Sequence, residues 1–264
     1  MQDFRTTRPG AGHGGGEPAA FPATQICLFL DFDGTLVELC EDPRDVRPEA
    51  RLVELLGALR VAVDGALAIV SGRLIDDLDR MLHPLRLPAA GLHGLERRDA
   101  QGRRRLAPAA PAGALHALRP ALRQLVTAHP GLYLEDKSAS LAVHYRRAPE
   151  LEERVQRVLE ALAARLAPEF ELMHGDKVLE IKPASLDKAA AVEGFMREAP
   201  FSGRLPVYVG DDFTDCDGFG AVRRHDGMTV AVGDRITAQW RLPDPAAVRA
   251  WLARIAATGR RTNT

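Results

Sequence analysis

The feature that most constrains the fold is an apolar run, residues 26–30, that stops at two aspartates, Asp31 and Asp33. A short run without alternating polar positions is typical of a strand that other elements cover on both faces. Further strands of this kind are predicted within 65–72, 206–212 and 228–233. Stretches with helical apolar spacing separate them, so the sequence predicts an α/β fold with a doubly wound parallel sheet, a Rossmann-like core.

The central part of the chain follows a different pattern. It predicts hairpins over 95–107, 132–147 and 170–183 and amphipathic helices over 112–129 and 149–167. Hairpins combined with helices predict an inserted α+β cap domain at 95–179. The core is then discontinuous, at 24–94 and 180–264, and the Gly- and Pro-rich residues 1–23 are expected to be a disordered tail.

The charge balance and the cysteines narrow the class of protein. The chain has 35 Lys and Arg against 36 Asp and Glu, and the basic residues are scattered among the acidic ones. This predicts no nucleic-acid or membrane partner, so we expect a small-molecule partner. Uncharged apolar stretches of about 18 residues, typical of membrane spans, do not occur. Three irregularly spaced cysteines favour reduced thiols and a cytoplasmic protein, and the oligomeric state has no sequence signal.

Polar residues follow the predicted core strands at their carboxyl ends. These residues are Asp31 and Asp33, Ser71, and Asp211 with Asp212. In an open parallel sheet the ligand crevice lies beyond these strand ends, where converging carboxylates raise one another's pKa unless a cation lies between them. A thiol-free oxygen site suits Mg²⁺, which attracts phosphate. The alternative is that the first two aspartates form only a strand-end turn and a cap.

Ordered motifs argue against that alternative. They are DFDGTL at 31–36, SGR at 71–73, Lys188 at the start of a predicted helix, and GDDFTD at 210–215. In this order they resemble the haloacid dehalogenase superfamily of phosphatases. Within it the chain is most similar to the trehalose-6-phosphate phosphatases, through GLHGLE at 91–96, EDKSASLAVHYR at 135–146 and KVLEIKP at 177–183. The resemblance covers about residues 25–258.

The resemblance implies a haloacid dehalogenase-like core and a phosphoric monoester hydrolase. The implied reaction is Mg²⁺-dependent hydrolysis of trehalose 6-phosphate to trehalose and phosphate, in trehalose biosynthesis, through an aspartyl-phosphate. One alternative is a phosphatase of another sugar phosphate, such as sucrose phosphate or mannosylglycerate phosphate. A second is a non-catalytic sugar-phosphate sensor, which loss of Asp31, Asp33 or Lys188 would mark; all three are present.

The resemblance also implies catalytic roles. Asp31 is expected to attack phosphorus, while Asp33, with a free side chain, is expected to protonate the leaving sugar oxygen and later accept a proton from water. Ser71 and Lys188 are expected to hold the phosphoryl oxygens.

The implied Mg²⁺ ligands are the Asp31 carboxylate, the Asp33 backbone carbonyl and Asp211. Asp212 and Asp215 are expected to support the site, through metal-bound waters or by orienting Lys188. After GDDFTD the family usually has glutamate where this chain has Cys216.

The substrate-binding residues implied by the resemblance are Gly72 and Arg73, and in the cap Glu135, Lys137, His144, Arg146, Lys177 and Glu180. A sugar needs hydrogen-bond donors and acceptors of this kind for its hydroxyl groups. The alternative for each charged residue is a solvated salt bridge. His93 in GLHG is expected to be a structural hydrogen-bonding residue where core and cap meet.

Overall fold

The computed structural model describes Pro18 and residues 22–107, 113–185 and 187–259. Within these residues, twelve strands form one eight-stranded and one four-stranded sheet. The predicted tail, residues 1–23, lies outside the described residues except for Pro18, Pro22 and Ala23. None of the helices in the described ranges is both long and apolar enough to cross a bilayer.

The elements follow one another in three groups. The first group is β1 (Ile26–Leu30), α1 (Ala50–Ala62), β2 (Leu67–Val70), α2 (Ile75–Met81), β3 (Ala89–Gly91), β4 (Glu96–Arg98) and β5 (Arg104–Leu106). The second is α3 (Gly113–His116), α4 (Arg119–Ala128), β6 (Tyr133–Asp136), β7 (Leu141–His144), α5 (Glu152–Ala163), β8 (Phe170–Gly175) and β9 (Val178–Pro183). The third is α6 (Lys188–Met196), β10 (Leu205–Gly210), α7 (Asp215–Arg224), β11 (Met228–Val232), β12 (Trp240–Leu242) and α8 (Pro245–Gly259).

The larger sheet has the strand order β12-β11-β10-β1-β2-β3-β4-β5. Its strands from β12 to β3 are parallel, with Phe29 of β1 opposite both Ala68 and Tyr208. Helix α1 packs against α8 and α6 packs against α7, and every residue of β1 is buried. This confirms the predicted doubly wound α/β core, because an all-apolar strand requires cover on both faces.

The smaller sheet has the order β6-β7-β9-β8 and is antiparallel throughout. Helix α4 contacts β6, and α5 contacts β8 and β9. Their buried side chains form a hydrophobic cluster separate from that of the larger sheet, with Leu122, Val143, Leu159 and Ile181 among its members. The predicted inserted α+β module is confirmed, since these elements lie between β5 and α6 in the chain.

Two edges of the predicted insertion are corrected. The first hairpin, β4–β5, forms as predicted, but β4 pairs with β3 and so extends the larger sheet. The chain reverses directly at Leu92–Gly94, where His93 and Gly94 have positive φ, and this leaves β4 beside the edge of β3. Strand β9 belongs wholly to the smaller sheet and continues to Pro183, beyond the predicted boundary at residue 179. Strand β12 was not predicted.

Three phenylalanines join β1 to the helix that carries Lys188. The ring centroids of Phe29 and Phe195 are 5.9 Å apart, those of Phe29 and Phe201 5.6 Å, and those of Phe195 and Phe201 5.0 Å. All three side chains are fully buried. Aromatic pairs at this separation stabilise a core beyond the area they bury. The cluster therefore holds α6 against β1, and with it the position of Lys188.

Replacing Phe195 with alanine is expected to lower the free energy of unfolding by about 3–5 kcal/mol, because it removes a buried ring and leaves a cavity. Urea denaturation measures this change. As a control, Val61→Ala on α1, where the side chain is 74% exposed, should change the unfolding free energy by less than about 0.5 kcal/mol. Similar small losses in both variants would show that the aromatic cluster does not anchor α6.

Candidate active site

Lys188 lies at the centre of the site. It is the first residue of α6, which Asp187 caps by accepting a hydrogen bond from the Ala190 amide at 2.6 Å. The buried ammonium lies 2.7 Å from Asp31 Oδ1 and 2.6 Å from Asp215 Oδ1. Because Asp31 directly follows β1 and Asp215 begins α7, this ammonium joins three elements at the carboxyl edge of the larger sheet.

Asp215 organises the loop that follows β10. Besides the ammonium, its Oδ1 accepts a hydrogen bond from the Tyr208 hydroxyl at 2.9 Å. Its Oδ2 accepts from the backbone amides of Asp211 at 3.0 Å and Asp212 at 3.1 Å. A Cβ atom on Gly210 would lie 2.3 Å from Asp215 Cγ, so this close approach requires glycine. The last aspartate of the GDDFTD motif therefore holds the backbone of the two preceding aspartates in place.

Asp211 projects beside the first motif. Its Oδ1 accepts a hydrogen bond from the Thr35 hydroxyl at 2.9 Å, and a Cβ atom on Gly34 would lie 2.3 Å from its Oδ2. Gly34 also has a φ of +79°, which favours glycine. Carboxylate oxygens of Asp31, Asp211 and Asp215 all lie within 4.8 Å of one another. Such a group of oxygens could hold a divalent cation.

The charges at this edge are unbalanced. Burial raises the pKa of Asp31 well above its usual value, and Asp215 and Asp211 raise it further although Lys188 opposes them. Burial and the neighbouring Asp215 raise the pKa of Asp211 to about 7, against the opposing Arg235 guanidinium. Burial acts to lower the pKa of Lys188, but the two carboxylates outweigh it and raise this pKa. Three carboxylates face the Lys188 ammonium and the Arg235 guanidinium, so one negative charge is left over and the site favours a further cation.

The side chain of Asp33, predicted to be the general acid, is paired with Arg73. Arg73 Nε donates to Asp33 Oδ2 at 2.6 Å and Nη2 donates to Oδ1 at 2.7 Å, a two-point pair. Nη2 also donates to the Pro43 carbonyl at 3.0 Å. The Ser71 hydroxyl oxygen is buried and accepts a bond from the Arg73 amide at 3.2 Å. Arg73, predicted to bind substrate, therefore contacts the predicted general acid.

His93 lies where core and cap meet. A Cβ atom on Gly72 would lie 2.8 Å from the His93 ring, so Gly72 lets the ring lie against the SGR motif. On the cap side, His93 Nε2 lies 3.5 Å from Glu180 Oε2, at the outer limit of a hydrogen bond. Burial lowers the pKa of His93 although Glu180 opposes this. The ring therefore lies between core and cap in a place that disfavours its charged form, and neither of its nitrogens has a close hydrogen-bond partner among the described residues.

The cap contributes a buried polar cluster. Glu180 Oε2 accepts a bond from Lys137 Nζ at 2.9 Å, and Oε1 accepts one from the Ser140 hydroxyl. Burial acts to raise the pKa of Glu180, but Lys137 outweighs it and the pKa is lowered. A second pair joins Glu135 Oε2 to His144 Nε2 at 2.9 Å. These groups present charged and hydrogen-bonding atoms towards the core.

A cavity of about 160 Å³ lies between the two sheets. The predicted site residues that line it are Asp31, Asp33, Ser71, Gly72, Arg73, Glu135, Lys137, His144, Arg146, Glu180, Lys188, Asp211 and Asp212. Met173 and Val178, which were not predicted, add apolar surface on the cap side. The cavity thus has an anionic floor with one ammonium and a mixed polar and apolar roof.

Comparison with known proteins settles the family. The sequence profile of the trehalose-phosphatase family matches residues 29–244. The chain belongs to the trehalose-phosphatase family. It is 40% identical over 234 residues to a trehalose-6-phosphate phosphatase of Escherichia coli (strain K12), covering 88% of this chain and 87% of that protein. It is 38% identical over 232 residues to a probable trehalose-phosphate phosphatase of Sinorhizobium fredii, covering 87% of each.

A solved structure supports the same fold. The C-terminal domain of a trehalose-6-phosphate phosphatase of Candida albicans superimposes with a TM-score of 0.78. The match covers 89% of this chain and 92% of that domain at 21% identity. This trehalose-phosphatase family member therefore shares with that domain its overall fold, in which a parallel-sheet core carries a smaller antiparallel sheet.

Lys177 is the predicted substrate-binding residue that the structure does not place at the cavity wall. It lies in the turn between β8 and β9, with a φ of +59°, and does not line the cavity. Its ammonium lies 3.4 Å from Glu152 Oε2 and 5.8 Å from the centre of the Tyr145 ring. The turn directs this side chain towards α5, away from the site.

Arg235 is a charged residue of the site that sequence reasoning missed. It follows β11 and lies on the cavity wall, where Nη2 donates to Asp211 Oδ2 and Nη1 lies 3.2 Å from Asp176 Oδ2. The available signal was its position just past the carboxyl end of a core strand, where the ligand crevice of an open parallel sheet lies. Its two acidic partners are distant in sequence, so no local pattern pointed to them.

Replacing Lys188 with methionine is expected to lower the free energy of unfolding at pH 7 by about 3–5 kcal/mol, because Asp31 and Asp215 stay buried without their counter-charge. Urea denaturation in EDTA measures the loss. A carboxyl whose pKa is raised on folding, as for Asp31, stabilises the fold when protonated and loses that effect as pH rises. The deficit should therefore shrink towards pH 5.

The control for this prediction is Arg51→Met, which removes an exposed charge from α1. It should change the unfolding free energy by less than about 0.5 kcal/mol at either pH. A Lys188→Met deficit that does not depend on pH would contradict the idea that uncompensated carboxylates cause it.

Proposed function

We propose that this chain hydrolyses trehalose 6-phosphate to trehalose and inorganic phosphate, through an aspartyl-phosphate on Asp31. As a member of the trehalose-phosphatase family it is a phosphoric monoester hydrolase. The observation that carries the proposal is the Asp31–Lys188 contact of 2.7 Å at the floor of a cavity whose roof is polar. A carboxylate nucleophile beside a fixed cation suits attack on a phosphate monoester.

In the first step an Asp31 oxygen forms a bond to phosphorus as the bond from phosphorus to the sugar oxygen breaks. Lys188, 2.7 Å from Asp31, reduces the repulsion between the anionic nucleophile and the anionic phosphate. Ser71 lines the cavity after β2, and its hydroxyl would donate a hydrogen bond to a phosphoryl oxygen. In the second step water attacks phosphorus and restores the Asp31 carboxylate.

Asp33 supplies the proton transfers. It protonates the departing sugar oxygen and then accepts a proton from the attacking water, so one carboxyl group serves both steps. Arg73 contacts both oxygens of Asp33, at 2.6 and 2.7 Å, and fixes the plane of the carboxyl group. Arg73 would thus act through Asp33 rather than directly on the sugar.

The residues at the floor fit Mg²⁺. Oxygens of three carboxylates lie within 4.8 Å of one another, and burial raises the pKa values of Asp31 and Asp211. The holding groups would be these two carboxylates and the Asp33 backbone carbonyl, whereas Asp215 is occupied by Lys188, Tyr208 and two amides. When bound, Mg²⁺ would offset negative charge on the nucleophile and on the phosphate.

The smaller sheet and its helices form a cap domain that holds the sugar. Glu135, Lys137, His144 and Glu180 line the cavity from the cap side and offer the donors and acceptors that sugar hydroxyl groups need. Closing such a cap excludes bulk water from the phosphoenzyme. We place the cap at 113–183 and the core at 24–107 with 187–259. These boundaries differ from the predicted ones because β4 and β5 belong to the larger sheet and β9 belongs to the smaller one.

A cytoplasmic location stays a prediction.

A panel of sugar phosphates tests the substrate. Trehalose 6-phosphate is expected to exceed sucrose 6-phosphate and glucose 6-phosphate in kcat/KM by at least about tenfold, the equivalent of about 1.4 kcal/mol in the transition state. Phosphate release with Mg²⁺ measures this, and EDTA should abolish it. Equal rates on trehalose 6-phosphate and glucose 6-phosphate would remove the substrate assignment.

Two substitutions separate the roles of the aspartates. Asp31→Asn removes the nucleophile, so turnover and phosphoenzyme should vanish for every substrate. Asp33→Asn keeps the backbone carbonyl but removes the proton donor, so hydrolysis of trehalose 6-phosphate should fall by about 10²- to 10⁴-fold. An aryl phosphate, whose leaving group needs no proton, should instead give a burst of phenol and then slow turnover. Activity in Asp31→Asn with no phosphoenzyme in Asp33→Asn would reverse the two roles.

A further inference from the structure

One guanidinium group connects the cap to the candidate metal-binding carboxylate. Arg235 follows β11 in the core, and its Nη2 donates to Asp211 Oδ2. Its Nη1 lies 3.2 Å from Oδ2 of Asp176, which lies in the cap turn between β8 and β9. The Arg235 side chain is 29% exposed and that of Asp176 is 27% exposed. Charges buried to this degree are only partly screened by solvent.

The cap turn containing Asp176 is docked directly on the core loop that contains Asp211. The Asp176 amide donates to Asp212 Oδ2 at 3.4 Å. A Cβ atom on Gly175 would lie 3.4 Å from the same oxygen, so the backbone of the turn is close to the core. Within the cap, Arg146 donates to Asp176 Oδ2 at 2.6 Å and to its carbonyl at 2.8 Å. The Asp176 carboxylate is thus aimed at Arg235 by its own domain.

Both oxygens of Asp211 already have partners in this arrangement. Oδ1 accepts from Thr35 at 2.9 Å, and Oδ2 accepts from Arg235. A cation that binds Asp211 therefore meets a guanidinium on the same carboxylate. The repulsion between this cation and the guanidinium is greatest when Arg235 has no other counter-ion. It is weaker when the Asp176 carboxylate partly neutralises the guanidinium.

We propose that Arg235 is a positioning residue that couples docking of the cap turn to divalent-cation binding at Asp211. The inference rests on the proposed function, which assigns Asp211 to the cation. With the cap docked, Asp176 takes part of the charge of Arg235, and Asp211 binds the cation more tightly. Coupling between two binding events is reciprocal, so the bound cation displaces Arg235 towards Asp176 and holds the cap turn in place.

Mg²⁺ binding to the substrate-free protein tests the coupling, measured by titration calorimetry. Arg235→Met removes the competing charge and should bind Mg²⁺ about fivefold more tightly, at the lower end of usual coupling strengths. Asp176→Asn leaves Arg235 with Asp211 alone and should bind about fivefold more weakly. Tighter Mg²⁺ binding in Arg235→Met and weaker binding in Asp176→Asn distinguish the coupling from loss of structure, which would weaken binding in both variants. Arg235→Gln should repeat the Arg235→Met result, and thermal unfolding checks that each variant folds.

A double variant tests whether Asp176 influences Mg²⁺ affinity through Arg235. In the Arg235→Met background, Asp176→Asn should change Mg²⁺ affinity by less than about twofold, because the coupling energy of a double-mutant cycle isolates the pair. If Asp176→Asn weakens binding as much as it does alone, the carboxylate acts on the cation directly and the proposal is overturned. Equal Mg²⁺ affinity in wild type and Arg235→Met would also overturn it.

Hydrogen exchange at the cap turn gives a second readout that does not involve catalysis. In wild type, Mg²⁺ should slow exchange of the amides around Asp176, because the cation strengthens docking of the turn. In Arg235→Met this Mg²⁺-dependent change should be lost. A change that persists unaltered in the variant would contradict the proposal.

Two exposed residues near the end of α7 provide charge-matched controls. Arg223→Met removes a guanidinium and Asp226→Asn removes a carboxylate, and neither should alter Mg²⁺ affinity. Failure of the inference and failure of the function are separable. If wild type binds Mg²⁺ and hydrolyses trehalose 6-phosphate but Arg235→Met binds no tighter, only the coupling fails. If wild type binds no Mg²⁺, both fail.

Discussion

The architecture of the site depends on one buried ammonium between two carboxylates. Burying a charge without a partner is strongly unfavourable, so Lys188 requires Asp31 on one side and Asp215 on the other, at 2.7 and 2.6 Å. The three residues lie on different elements: Asp31 follows β1, Lys188 begins α6 and Asp215 begins α7. The ion pairs can form only when the parallel sheet and its helices are assembled. The floor of the candidate site and the core therefore form together.

Close packing of backbone against carboxylates allows acidic groups to gather there. Gly34 and Gly210 each leave room where a Cβ atom would lie 2.3 Å from an aspartate side chain. The oxygens of Asp31, Asp211 and Asp215 can then approach within 4.8 Å. Burial, and then their mutual repulsion, raises the pKa values of Asp31 and Asp211, and a cation relieves the repulsion. The glycines of the two motifs lack a Cβ atom, and this allows the carboxylates of the site to lie close to one another.

Several contacts between core and cap are polar, beside a small apolar cluster that includes Leu92 and Ala139. Besides the Arg235–Asp176 pair at 3.2 Å, the Arg44 guanidinium lies 4.3 Å from the centre of the Tyr133 ring, and Arg147 lies 3.3 Å from Glu41. Polar interfaces between domains of one chain permit relative movement more readily than large apolar ones. In the proposed function, a cap attached in this way admits a sugar phosphate and closes over it. The proposed coupling through Arg235 would connect that movement to the floor of the candidate site.

The sequence by itself determined the alternation of strands and helices, the inserted hairpins and the acidic strand ends, because apolar periodicity and strand-terminal aspartates are local patterns. Only the tertiary structure decided that β4 extends the larger sheet, that Arg73 contacts Asp33, that Lys177 turns towards Glu152, and that Arg235 joins Asp211 to Asp176. Each of these partners lies far away in the chain or depends on a turn's backbone geometry. A charged side chain pairs with the opposite charge that folding brings near it, and the spacing of residues along the chain does not contain that distance.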